Sequence, residues 1–243
     1  MENAIVAGLS KQIVLTRALE TTANNVANQT TAGFKADHVA FAEYLRVIDA
    51  RTSGDPLVSL VSDPDTYTDF GAGAIEQTFR DLDFAIEGEG LFGVETAAGV
   101  RYTRDGRFSV NAFGELVTRS GELVLDNGGS PILIDPQAGP VIATSEGDLQ
   151  QQGASVARIG VFRAEDARLL RKTGDNLFAA PSKLDADPIV RVRQGFTETS
   201  NVNPVAAMTD LIEILRAYEE AAQLTDISNN LARRAVDTLS DRA

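Results

Sequence analysis

The 243-residue sequence contains no cysteine and one histidine, His38. Disulfides and thiolate chemistry are closed to it, and a lone imidazole lacks the partners that a metal site or a catalytic dyad needs. Apolar residues make up 43% of the chain, yet no apolar run approaches the ~20 residues of a membrane span. The N-terminus shows no basic segment followed by a compact apolar stretch, so a cleaved secretion signal is not expected. Positive charge is in the minority: 22 Lys and Arg against 35 Asp and Glu leave a net charge of -13. With no basic stripe to reverse that field locally, nucleic acid and anionic lipid are excluded as partners, and other proteins are the expected ones. No cofactor and no metal are expected.

What is present begins with helical periodicity. Ile5, Val6, Leu9, Ile13, Leu15, Leu19, Ala23 and Val26 fall within about half of a 3.6-residue wheel, with Val14 outside it. A two-stranded seam needs a narrower stripe, so this helix is expected to touch more than one neighbour. The period runs into ANNVANQTTAGFK at 23–35, where Asn25, Asn28, Thr30 and Thr31 compete for backbone hydrogen bonds and Gly33 permits a positive φ. The helix is predicted to stop here, with Phe34 folding back on its last turn beyond a glycine cap.

Residues 36–78 read as a connector, with one short amphipathic piece at 41–48 and turns at 53–57 and 62–67. From 79 the period changes to two and turn signals recur about every ten residues, the pattern of an all-β domain. Strands are predicted at 82–86, 91–95, 101–104, 107–110, 115–118, 122–125, 131–134, 141–144, 157–162 and 189–192, with Asp105 and Gly106 as a hairpin turn. Gly88, Gly90 and Gly93 spell GxGxxG. A dinucleotide site would need a helix to start at the last glycine, but a strand pattern follows, so these are read as bulge and turn positions.

The sheet pattern ends near 195. Asn203 followed by Pro204 is a strong helix start, an amide at the N-cap and a proline where no donor is needed. Met208, Leu211, Leu215, Tyr218, Ala222, Thr225, Asn229, Ala232, Val236 and Leu239 then keep a three-four spacing, which reads as a seam on a rod about 54 Å long. The predicted fold is mixed α and β: an N-terminal assembly helix at 1–35, a connector at 36–78, a β-rich domain at 79–195 and a C-terminal assembly helix at 196–243. The two helices are expected to pair as a coiled-coil-like unit with the all-β domain inserted between them. Ile5, Leu9, Leu19 and Val26 form the N-terminal side of that seam. Small seam residues bury little area, at roughly 25 cal/mol per Å², so neighbouring copies are expected to complete the pair. Contact through unlike patches propagates as a ring or a tube.

Three stretches, in order, resemble the bacterial flagellar rod and hook proteins. Asn24, Asn25, Ala27, Asn28, Thr31, Gly33 and Phe34 follow that family's N-terminal signature, with Thr30 where a second Asn is usual. DFAIEGEGLF at 83–92 and RYTRDGRFSV at 101–110 resemble its glycine turn and its YTRxGxF strand pair, with Leu91 in place of an aromatic. Glu198, Ser200, Asn201 and Val202 lie in a third match, ETSNVN, ahead of the C-terminal helix. The resemblance implies a structural subunit of the flagellar basal body and not an enzyme. It implies a periplasmic rod protein that leaves by the flagellar export apparatus without a cleaved signal and assembles with its own copies and other rod proteins. The opening MENAI, the short chain and the modest central domain look most like a proximal rod subunit, with a distal rod or hook-type subunit as the alternative. Other classes compete: an envelope glycan hydrolase using Glu87 and Glu89 as its carboxylate pair, or a surface-binding protein. The hydrolase reading is weak, because carboxylate pairs are cheap among 35 acids and no helper histidine accompanies them.

Overall fold

The computed structural model describes residues 2–40, 43–46, 58–61, 65–187 and 191–240. The turn expected at 53–57, parts of the 41–48 piece and of the 62–67 turn, and residues 189–190 of the last expected strand lie outside them. Two α-helices, α1 (Glu2–Ala27) and α2 (Pro204–Ser240), are the only ones among the described residues. The chain divides into two compact units: one holds both helices and Asp37–Asp69, the other holds Asn28–Ala36 and Phe70–Val202.

In the helical unit, α2 starts where its capping residues dictate. The Asn203 side-chain oxygen accepts the N–H groups of Val205 and Ala206 at 3.1 and 3.2 Å, and Pro204 occupies the first helical position. Its 37 residues make a rod of about 56 Å. The helices pack on each other through small side chains. Ala18, Ala207 and Ala221 are buried together with Val14, the residue that periodicity leaves outside the α1 stripe. A Cβ on Gly8 would come 2.8 Å from the Thr225 hydroxyl, so glycine there allows the close approach. Strand Asp37–Ala40 pairs antiparallel with Asp65–Thr68, and Glu43–Arg46 pairs with Val58–Val61.

In the second unit, a nine-stranded sheet runs in the order Arg171–Lys172, Leu177–Ala179, Gly99–Thr103, Leu91–Thr96, Leu123–Val124, Leu116–Val117, Ser109–Val110, with Val161–Arg163 joining beside Leu91–Thr96 and Asp185–Ala186 beyond it. Phe84–Glu87 pairs with Arg191–Gln194, and Ile75–Gln77 with Phe196–Glu198. Phe84, Phe92, Phe108, Leu116, Val124, Ile132, Leu149 and Val192 fill the main core. Leu91, Tyr102, Phe162, Leu170 and Phe178 form a second cluster.

The predicted architecture requires correction. The helices do pack together, but they are not a separate coiled-coil-like unit flanking a simple all-β insert. Four strands between Asp37 and Thr68 belong to the helical unit, where a connector was expected, and residues 28–36 belong to the β-rich unit, where the end of a helix was expected. Four-residue strands show too few alternations to stand out as a period, and their pairing is non-local. Asp105 and Gly106 also do not close a hairpin: strand Gly99–Thr103 pairs with Leu91–Thr96 and Leu177–Ala179, whereas Ser109–Val110 pairs with Leu116–Val117.

Candidate functional site

The most concentrated chemistry in the molecule surrounds one carboxylate, Glu198, which is 2% exposed. It lies at the end of strand Phe196–Glu198, just before α2. Its Oε1 accepts Lys35 Nζ at 2.6 Å and the Gly73 N–H at 2.9 Å. Its Oε2 accepts the Arg104 Nε–H. Lys35 and Arg104 are 1% and 5% exposed, so two cations share one anion out of water. Backbone carbonyls take up the excess positive charge. Lys35 Nζ also donates to Gly71 O at 2.8 Å, and the Arg104 guanidinium donates to the carbonyls of Ile86, Gly88 and Gly90. Burial alone would raise the Glu198 pKa. The charge of Arg104, the hydrogen bond and charge of Lys35, and the Gly73 N–H outweigh it and hold the carboxyl below its usual value.

Backbone bonds tighten the same place. The Gly33 N–H donates to Glu198 O at 2.8 Å, the Asn201 N–H to Phe34 O at 3.3 Å, and the Ala36 N–H to the Asn201 side-chain oxygen at 2.7 Å. Thr199 N–H reaches Ala74 O at 2.8 Å, and Asn201 Nδ2 reaches Gly71 O at 3.3 Å. The chain passes between its two units at 27–28, 36–37, 69–70 and 202–203. Residues of the β-rich unit beside three of these passages, Ala36, Gly71 and Asn201, are thus joined in one clasp.

Several motif residues take roles that their local sequence does not reveal. Gly33 has φ 66°, the left-handed value expected of it, but α1 has already ended at Ala27. A Cβ at Gly33 would lie 2.4 Å from the Arg104 carbonyl carbon, so this glycine admits a backbone crossing and does not cap the helix. Phe34 is buried in the β-rich unit with Lys172 Nζ 4.2 Å above its ring. Asn25 is buried in the helical unit, where its amide donates to Asp37 O at 2.7 Å and accepts the Asp37 N–H at 3.0 Å. Thr31 donates its hydroxyl to the Asn28 side chain at 3.2 Å. Ser200 is buried and accepts the Val202 N–H at 3.2 Å, while Asn24 and Ala27 are exposed on the last turns of α1. Lys35, Arg104 and the glycines 71 and 73 escape a reading for sites. The available signal was charge inside otherwise apolar or glycine-rich motifs, Lys after GF and Arg after YT.

The seam residues divide. Leu19, Val26, Leu211 and Ala222 are half-buried, whereas Leu9, Met208, Leu215 and Tyr218 are 54%, 47%, 40% and 36% exposed. The side chains of Ile5 and Leu239 lie outside the described set. Val205, Met208, Ile212 and Leu215, spaced three and four apart, make an apolar stripe along α2 that its contact with α1 leaves open. Glu87 and Glu89 each meet a separate arginine, Arg193 at 3.4 Å and Arg163 at 2.7 Å, on the surface. Gly88 and Gly90 turn the chain between strands Phe84–Glu87 and Leu91–Thr96, and the second strand stands where a dinucleotide motif would need a helix. His38 stacks on Tyr67, ring centroids 5.5 Å apart.

Residues 193–238 match the family model described as flagellar basal body rod FlgEFG protein C-terminal, and residues 85–151 match that of the flagellar hook protein FlgE/F/G D1 domain. Over 98% of its length the chain is 41% identical to the flagellar basal-body rod protein FlgF of Caulobacter vibrioides, of which 98% is covered. The chain belongs to the flagellar basal-body rod protein family. Another rod protein, FlgF of Escherichia coli, is 31% identical over 99% of both chains. The rod protein FlgG of Bacillus subtilis is 26% identical over 98% of this chain and 99% of its own. On this rod-family chain, Arg104 falls in the hook-protein D1 match and Glu198 in the rod C-terminal match, while Lys35 precedes both. Among the described residues no helix is long and apolar enough to cross a membrane.

Proposed function

We propose that this chain is a structural subunit of the flagellar basal-body rod, of the proximal, FlgF type, and that its terminal helices build the wall of a tubular shaft that transmits torque. The observation that carries this reading is the α2 stripe of Val205, Met208, Ile212 and Leu215, which stays open while the opposite side of the helix is closed by α1. Burying each such side chain stabilises a contact by roughly 1.5 to 3 kcal/mol, so the stripe is matched to further helices, from other copies or other rod proteins. FlgF-named relatives at 31% to 41% identity, against 26% to 29% for those named FlgG, support the proximal assignment. The subunit leaves through the flagellar export apparatus. On this reading its role is structural, and the two carboxylates weighed for hydrolysis, Glu87 and Glu89, each meet a separate arginine on the surface.

The absence of cysteine makes a direct test clean. Ile212→Cys supplies the only thiol in the chain, and a short bifunctional thiol reagent is applied to purified basal bodies and to the free protein. Cross-links between copies, or to a neighbouring rod protein carrying its own cysteine, are expected in the basal body and not in dilute monomer. Absence of the chain from purified basal bodies would overturn the reading.

A further inference from the structure

We propose that Phe79 and Arg80 of one copy of this chain seat in a groove on the β-rich unit of a second copy, where Arg80 meets Asp135. Phe79 is 81% exposed and has φ 58°, a left-handed conformation that a bulky aromatic residue rarely adopts. The N–H groups of Thr78 and Phe79 both donate to Gly195 O, at 2.8 and 3.3 Å, so the turn fixes that conformation. A ring that touches so little of its own chain does not repay the strain there. Arg80, the next residue, has an exposed side chain and reaches Asp83 Oδ1 only at 4.0 Å. An apolar ring and a loosely held cation are thus presented one after the other.

The groove, of about 590 Å³, lies wholly within the β-rich unit, and Phe79 and Arg80 are not among the residues that line it. Its lining includes Phe113, Leu133 and Val156, exposed by 86%, 60% and 39%, and the buried Ile134. Exposed apolar side chains gathered around one concavity mark a contact surface. The wall is set in advance by the buried Gln151, which accepts the Asp135 N–H at 3.1 Å and donates to the carbonyls of Asp135 and Gly139 at 2.9 and 3.0 Å. Among the described lining residues Asp135 is the one that carries charge, and it is exposed. Two copies of net charge -13 repel each other, so a second copy is seated only where a cation meets an acid. Arg80, next to an exposed aromatic ring, supplies that cation to a groove that is apolar around one carboxylate. Such a contact buries less than the ~800 Å² per partner of a stable interface, so between free chains it is weak and has to be trapped.

The contact uses no helix and stands apart from the tube-wall reading, so it is tested on the free full-length chain. Asp81→Cys places the only thiol of one variant beside Phe79 and Arg80, and Gln137→Cys places that of another beside the groove; both positions are exposed. The two variants carry different tags, are mixed at equal concentration and are treated with a short bifunctional thiol reagent. The mixed cross-link is expected to exceed each like cross-link about tenfold, beyond the excess that random pairing gives. Phe79→Gly suits the left-handed backbone and removes the ring. Added to the first variant, it should lower the mixed product roughly tenfold and leave the circular dichroism unchanged. Arg80→Gln in the first variant, or Asp135→Asn in the second, which keeps the acceptor for the Gln137 N–H, should each lower the product several-fold, and the two together should lower it no further. Mixed product at the random level, no cross-link at all, a yield indifferent to Phe79→Gly, or charge losses that multiply would each overturn the contact. Leu215→Asp, which alters only the open helix stripe, should leave the mixed product unchanged. A loss with that variant would assign the product to the helices and overturn the contact too, whereas absence of the chain from basal bodies bears on the rod reading alone.

Discussion

Lys35 Nζ lies 2.6 Å from Glu198 Oε1, across 163 positions of sequence, and Arg104 occupies the other oxygen of the same carboxylate. The three stretches that resemble the rod and hook family therefore meet in space. Each contributes one charge to a cluster that none could hold alone, and backbone bonds from Gly33, Gly73 and Asn201 close around it. Motifs that read as separate signatures along the chain are parts of one clasp.

Acid should loosen that clasp. Burial favours the neutral carboxyl, but Arg104, Lys35 and the Gly73 N–H prevail and depress the folded pKa of Glu198. A depressed carboxyl contributes stability that is fully present above the unfolded value, about 4.3, and is lost as pH falls through the folded value. Asp148, lowered chiefly by its hydrogen bond to Arg158, adds a smaller effect of the same sign from a partly exposed site. The midpoint of urea unfolding is expected to be flat near neutrality and to drop in the acid range. Glu198→Gln should start lower and fall less steeply, and an unchanged acid slope would assign the effect to other carboxylates.

Two glycines with positive φ should respond differently to alanine. Gly33 has φ 66° and would put a Cβ 2.4 Å from the Arg104 carbonyl carbon; Gly88 has φ 104° and would meet nothing within 4 Å. Gly88→Ala carries only the cost of the left-handed conformation, about 1 to 2 kcal/mol. Gly33→Ala adds a backbone collision and should cost more than about 3 kcal/mol. Chemical unfolding of both variants measures the difference. Equal losses would mean that the crossing at Gly33 relaxes freely.

The parts of the fold legible in the sequence are those that repeat a period or carry a local cap. Asn203 and Pro204 mark the start of α2 because their chemistry acts within three residues. The strands of the β-rich unit between Phe84 and Val124 are likewise visible as alternation between turns, whereas the strand expected at 131–134 forms only isolated bridges, and Asp148–Gln151 and Leu177–Ala179 carry no such signal. The side of α2 that faces α1 is harder to read, because apolar residues cover two stripes and the tighter contact uses alanines. The strands between Asp37 and Thr68 are four residues each and pair at a distance. Least legible is the clasp. Nothing local at Lys35 indicates a partner at Glu198, and the glycine before it is used for a crossing that no helix-cap rule contains.

Asn25 gives a test at the end of α1. Its amide both donates to and accepts from the backbone of Asp37, at 2.7 and 3.0 Å, in a buried position. Asn25→Asp keeps the acceptor and replaces the donor with an oxygen facing the Asp37 carbonyl. That swap should destabilise the helical unit by about 1 to 3 kcal/mol, with a partial recovery at acid pH, where the protonated carboxyl can donate again. Helix content by circular dichroism against temperature follows it. A variant as stable as the native chain at neutral pH would show that the amide contributes no net bond.

Leu215 separates the stability of the subunit from its assembly. Its side chain is 40% exposed, on the open stripe with Met208 and Ile212, whereas Ala221 is 1% exposed against α1. An aspartate at 215 can turn its carboxylate to water in the monomer, so Leu215→Asp should keep the helix content and leave the β-rich unit folded. In a rod the same carboxylate would be buried between helices without a partner, a cost of several kcal/mol that also forfeits roughly 1.5 to 3 kcal/mol of leucine burial. The variant is therefore expected in the culture medium and missing from purified basal bodies. Ala221→Asp should fail earlier, losing helix content in the free monomer, because no route to water exists at that position. Glu219→Gln, on an exposed side of the helix, should be silent in both measurements. Immunoblots of basal bodies and medium, set beside circular dichroism of the purified chains, distinguish the three. Incorporation of Leu215→Asp at the native level would mean that the stripe faces solvent in the assembled structure, and the tube wall would have to be built from another surface.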